Sequence, residues 1–117
     1  MAFRFEELEI WELAVNYAND IYNLIEELPK NEKYNLTDQI KRASLSISNN
    51  IAEGSGAVTK KGFCSFLDIS IRSLFETVNL LYFAKMRKYI TESKRVELYN
   101  KAEILVKKIR SFKNSLK

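Results

Sequence analysis

Apolar residues recur at helical spacing in four separate stretches of this chain. Trp11, Ala14, Ala18, Ile21, Ile25 and Leu28 step alternately by three and four, which places them on one face of a helix that Pro29 stops. Leu36, Ile40, Ala43, Ile47 and Ile51 form a second stripe, in a shorter and more polar helix ending at Gly54, Ser55 and Gly56, where glycine can take the left-handed conformation that closes a helix. Thr59 is placed to cap a third helix, with the seam Cys64, Leu67, Ile71, Leu74, Val78 and Leu81, running to about Arg87. Thr91 followed by Glu92 opens a fourth, whose stripe is Leu98, Ala102, Leu105, Ile109, Phe112 and Leu116. Short connections favour antiparallel neighbours. The expected fold is therefore all-α, an antiparallel up-down-up-down four-helix bundle, with residues 1–117 as a single domain.

The third helix has more apolar surface than one bundle requires. Outside its seam lie Phe63, Phe66, Ile69, Phe75, Leu80, Tyr82 and Phe83, so its apolar residues extend nearly all round. Such a helix is expected to be covered on more than one side, and self-association is the natural cover.

Composition narrows the chemistry. At 117 residues the chain can bury about two-thirds of its unfolded surface without a disulfide or metal staple. It is 46% hydrophobic and 29% charged, with three Gly and one Pro, which excludes a disordered chain and a turn-rich all-β fold. There is no His and a single Cys, Cys64, so imidazole acid/base chemistry, Cys/His zinc sites and an internal disulfide are excluded. Glu53 and Glu76 lack the Glu-x-x-His partners of a di-iron bundle, and Gly54 and Gly56 lead into Ala57 and Val58 instead of a Gly-Lys-Ser/Thr phosphate loop. The expectation is a protein that is not an enzyme and carries no metal or cofactor. Arg4, Glu6, Glu7 and Glu9 stand where a secretory signal would be basic then apolar, and the longest uncharged run, Ala43 to Ala52, is too short and polar to span a bilayer. A cytoplasmic protein follows, with Cys64 kept reduced as a small buried hydrophobe.

The net charge of +4 is unevenly spread: residues 1–28 hold one basic and seven acidic side chains, residues 85–117 eleven basic and three acidic. In the last helix Lys94, Lys101 and Lys108 repeat every seven residues beside the seam, while Lys107, Arg110, Lys113 and Lys117 spread over the outer side. Two readings stand. The seam-flanking lysines pair with acids of the first helix, Glu9, Glu12, Asp20, Glu26 or Glu27, or the outer cations face phosphates in a salt-dependent contact without base specificity. A second stripe on helix two, Gln39, Arg42, Ser46, Asn50 and Glu53, runs beside the apolar one, opposite Ser73 and Glu76 of helix three. It is read as a polar network that fixes register, closed by an Arg42 to Glu76 pair, in preference to a ligand site.

The run from Gln39 to Gly54, with Arg42, Ala43, Ser44, Ser46, Asn49, Asn50, Ile51, Ala52 and Glu53 inside it, closely resembles the hallmark of the four-helix-bundle proteins encoded in intervening sequences of bacterial 23S rRNA genes. Trp11, Ala14, Ile21, Tyr22, Pro29, Glu32, Tyr34 and Leu36 upstream, and Phe63, Phe66, Leu67, Ser73, Leu74 and Glu76 downstream, fit the same pattern. The resemblance covers about residues 8–90; the last helix matches only in kind. It implies a ring-like homopentamer, and, through the related accessory protein of diversity-generating retroelements, a basic bundle that engages nucleic acid and a partner protein. Two departures stand out. The basic residue that often follows the Glu-Gly turn is replaced by Ser55-Gly56-Ala57-Val58, with Lys60 and Lys61 close behind, and a small Gly-Ser pair usual in helix three reads Arg72-Ser73. The expected function is binding of RNA or DNA through Lys60, Lys61, Lys107, Arg110, Lys113 and Lys117, and the alternative is a scaffold for protein partners.

Overall fold

A computed structural model describes residues 2–116. The four stripes become four α-helices: α1 (Glu9–Ile25), α2 (Leu36–Ser55), α3 (Lys60–Met86) and α4 (Glu92–Ser115), with single 3-10 turns at Arg4–Glu7 and Lys30–Glu32 and no strand among the described residues. At 20 residues α2 is longer than the 17-residue α1, contrary to the expectation of a shorter helix; its polar outer face hid its length. Among these described residues no helix is long and apolar enough to cross a membrane.

The seam residues meet in one connected cluster. Ala14, Ile21 and Ile25 of α1, Ile40, Ile47 and Ile51 of α2, Leu67, Leu74 and Leu81 of α3, and Leu98, Leu105 and Ile109 of α4 are all buried in it. Each large aliphatic side chain withdrawn from water in this way contributes about 1.5–3 kcal/mol. Neighbours in sequence are neighbours in space, and α1 also packs on α4.

The most extensive contact is between α2 and α3, and small residues make it possible. Gly54 is buried inside the last turn of α2; a Cβ there would lie 2.7 Å from Phe66 Cβ and 2.9 Å from Phe63 Cδ1. No described glycine has a positive φ, and Gly56, the C-cap, sits at φ −90°. The expected left-handed closure of α2 is therefore absent, and the glycine at 54 serves close approach of two helices instead. Ser44, Ser48, Ser70 and Thr77 are buried nearby. Their hydroxyls are satisfied by backbone carbonyls: Ser44 donates to Lys41, Ser48 to Leu45, Thr77 to Ser73, and Ser70 reaches across to the Ile47 carbonyl of α2.

The left-handed residue lies elsewhere. Lys88 has φ 64°, the Tyr89 N–H donates to the Ala84 carbonyl and the Lys88 N–H to the Lys85 carbonyl, each at 2.9 Å. That pair of bonds is a Schellman closure of α3 with lysine in the usual place of glycine. Ile90 is then buried, and the Thr91 hydroxyl accepts from the Lys94 N–H at 3.2 Å to start α4. Thr59 does the same for α3, accepting from the Gly62 N–H at 2.9 Å. Both caps stand where the sequence places them.

The apolar surplus of α3 is covered only in part. Phe63 and Leu80 are buried and Phe66 is half-buried, whereas Ile69, Phe75, Tyr82, Phe83 and Met86 remain exposed.

Tyr17 is buried in α1, and its hydroxyl has no hydrogen-bond partner among the described residues. Burial raises its pKa well above the ordinary value of 10. Above about pH 10 the unfolded chain releases this proton while the native chain keeps it, so the unfolded state binds fewer protons and stability falls as pH rises. Tyr17→Phe removes an unsatisfied group and is expected to raise stability by about 1 kcal/mol near neutral pH. Urea titrations near neutrality and at about pH 11 check both statements, since the gain should be larger at the higher pH.

Candidate nucleic-acid interface

The two sides of α4 use their cations differently. Toward α1, Lys94 pairs with Glu27, Lys101 with Asp20 at 2.8 Å and Lys108 with Glu9 at 3.1 Å. The partners run in opposite order along the two helices. These exposed pairs contribute only a few tenths of a kcal/mol each, but they occupy the three seam-flanking lysines inside the chain. The hydrogen bond to Asp20 raises the Lys101 pKa accordingly.

At the start of α4, Arg95 lies buried with its guanidinium 3.9 Å from the centre of the Tyr82 ring and its Nε donating to Glu92 at 2.5 Å. That hydrogen bond holds the Glu92 carboxyl below, and the Arg95 guanidinium above, their usual values. Arg95 falls one turn before Leu98, so its place on the apolar stripe was legible in the spacing.

Toward α3, two hollows adjoin. The first, about 300 Å³, has an apolar floor of Leu74, Phe75, Val78, Tyr99, Ala102 and Val106, rimmed by Glu103, Lys107 and Arg110. The second, about 710 Å³, is polar, with Ser65, Asp68, Arg72, Arg110, Lys113 and Asn114 around Ile71. Arg110 lines both, its guanidinium 5.8 Å from the centre of the Phe75 ring.

The candidate cations therefore divide. Lys107 and Arg110 are exposed on this groove; Lys113 lines it too, but half-buried and paired with Asp68 at 2.6 Å. Lys60 and Lys61 are exposed in the first turn of α3, about two turns before Asp68. Lys117 lies outside the described residues. Arg72 belongs with this group although it stood out in the sequence only as a bulky departure. It faces the groove, and its neighbour Ser73 faces α2.

The polar stripe of α2 comes together only at its middle. Ser73 Oγ donates to Ser46 Oγ at 2.9 Å, and Asn50 Nδ2 donates to the Ser46 Oγ at 2.9 Å and to its carbonyl at 2.8 Å. Gln39, Glu53 and Glu76 are exposed outside this group. The expected Arg42 to Glu76 pair does not form: Arg42, whose side chain is 81% exposed, donates from Nε to Asp38 one turn back at 2.9 Å. Where α2 and α3 approach on glycine and serine, only short polar side chains bridge them, and the long ones take partners on their own helix or water. Gln39 and Arg42 instead line a hollow of about 760 Å³ with Tyr34, Phe83 and Met86, on the α2 side of α3.

Four packed helices, an interface of small residues between the middle two and a basic groove between the last two define an all-helical protein with no strand among its described residues. The sequence matches the family model of the 23S rRNA-intervening sequence protein over residues 6–111, and the chain belongs to that family. It is similar to a crystal structure, at 1.70 Å, of a protein with unknown function from the S23 ribosomal protein family of Bacteroides thetaiotaomicron. The two are 25% identical with a TM-score of 0.81, over 89% of this chain and 97% of that one. No curated protein matches the sequence.

Proposed function

We propose that this chain is a non-enzymatic, self-associating bundle of four helices in up-down-up-down order, cytoplasmic, which holds RNA weakly and without base specificity along the groove between α3 and α4. One observation carries the reading. Arg72, Lys107, Arg110 and Lys113 line the groove against two acids, Asp68 and Glu103, while the lysines on the opposite side of α4 already have carboxylate partners. A concentration of cations with few local partners attracts phosphate and releases counterions on binding. Lys60 and Lys61 extend the positive surface at the first turn of α3, where no acidic residue offsets the helix dipole. The resemblance to proteins encoded within rRNA genes agrees with an RNA ligand and with a homopentameric ring.

The test is fluorescence anisotropy of a labelled generic RNA against salt. Affinity should fall steeply as salt rises, with a slope in log units of about 0.7–0.9 per phosphate contact, and Arg72→Ala with Arg110→Ala should flatten that slope by about two contacts. A flat salt response ends the reading.

The hollow lined by Tyr34, Phe83 and Met86 favours a second reading, a scaffold for protein partners. Light scattering separates the two. A multimer indifferent to RNA at low salt leaves the scaffold as the account, and a monomer removes the self-association.

A further inference from the structure

We infer that the groove between α3 and α4 takes single-stranded nucleic acid in preference to duplex, a base stacking on Phe75 and Tyr99 while its phosphate lies against Arg72 and Arg110. The inference rests on the RNA-binding reading above and sharpens it. Phe75 is 59% exposed and Tyr99 39%, and both line the apolar hollow of about 300 Å³. That volume is at the small end of ligand sites. A duplex keeps its base faces stacked inside, so it meets only the charged rim of this hollow, at Lys107 and Arg110, and leaves the apolar floor uncovered. An unpaired base offers the flat apolar face that exposed aromatic rings take, and single strands are bound in this way with little regard to sequence.

The adjoining hollow supplies the other half of a nucleotide. Arg72 and Arg110 line it without a carboxylate partner among the described residues, whereas Lys113 is held by Asp68. Arg72 stands one turn before Phe75 on α3, so the hollow that it lines adjoins the one that holds the stacking ring. Arg110, over the Phe75 ring and at the edge of both hollows, joins the two subsites. Phe83 and Met86 face the separate hollow bounded by α2, so self-association there leaves Phe75 and Tyr99 accessible.

The full-length protein is titrated at low salt into a fluorescent single-stranded oligouridylate and into an RNA duplex of equal length. The single strand should bind more tightly, and Phe75→Leu should weaken it about tenfold while changing the duplex less than about twofold. Far-ultraviolet circular dichroism confirms that the variant is folded, and Tyr99→Leu provides a second, independent variant with the same expectation. If single strand and duplex bind equally and neither variant shifts either one, the stacking subsite is overturned while phosphate binding stands. If neither RNA binds, both readings fall together.

Discussion

Gly54→Ala is expected to lower the midpoint of urea unfolding by the equivalent of about 1–3 kcal/mol, the cost of overfilling a packed interface. At an open helical position the same change would stabilise by up to about 1 kcal/mol, because alanine is the better helix former. The sign is decided by geometry: the new Cβ would meet the Cβ of Phe66 at 2.7 Å, an atom fixed to the α3 backbone that cannot swing away. Relief requires the end of α2 to move off α3, which loosens Phe63 as well, since its ring stands 2.9 Å from the same point. Gly56→Ala is the control. Its nearest neighbour is a backbone oxygen at 3.5 Å and its φ is −90°, so that variant should be neutral or slightly stabilised. Loss of stability at 54 without loss at 56 establishes close approach, and not chain flexibility, as the role of the glycine.

Ile47→Ala should have the larger effect of the two, about 2–5 kcal/mol by urea or thermal unfolding. Ile47 is fully buried at the centre of the core, on the turn of α2 whose carbonyl receives the Ser70 hydroxyl. Truncation leaves a void that the surrounding helices close only in part, which adds to the lost burial. Against a total stability of about 5–15 kcal/mol this is a large share. Leu45→Ala, two residues away and 41% exposed, should cost less than about 1 kcal/mol.

Helical spacing made the core legible because burial and period are the same information. The stripe from Leu36 to Ile51 is buried at every position that the pattern names, and Thr59 and Thr91 cap because hydroxyls before a periodic segment have few other uses. What spacing could not give was the distance between helices. Gly54-Ser55-Gly56 reads as a terminator by composition, yet its first glycine is an interface residue, and the left-handed turn fell to Lys88, a residue with no propensity to advertise it. Likewise Arg42 and Glu76 were matched as charges on facing helices, but a salt bridge within α2 at four-residue spacing needs no tertiary geometry and prevailed. For the groove, Lys107, Arg110 and Lys113 were visible as a basic face. Arg72, Phe75 and Tyr99 were not, because they join that face only once α3 and α4 are laid side by side.

The Schellman turn at Lys88 also acts as a stop against sliding. Lys94, Lys101 and Lys108 are spaced by seven, and so are Leu98 and Leu105, Ala102 and Ile109, Leu105 and Phe112. If α4 advanced by seven residues, about 10 Å along its axis, the stripe would stay in phase, Lys101 would come opposite Glu27 and Lys108 opposite Asp20. The shifted setting would keep two of the three ion pairs, at the cost of placing Ile109 where Ala102 packs and Phe112 where Leu105 packs. The five residues from Arg87 to Thr91 also hold the observed setting, through the Tyr89 bond to Ala84, the burial of Ile90 and the Thr91 cap, all of which the shifted setting would have to unwind.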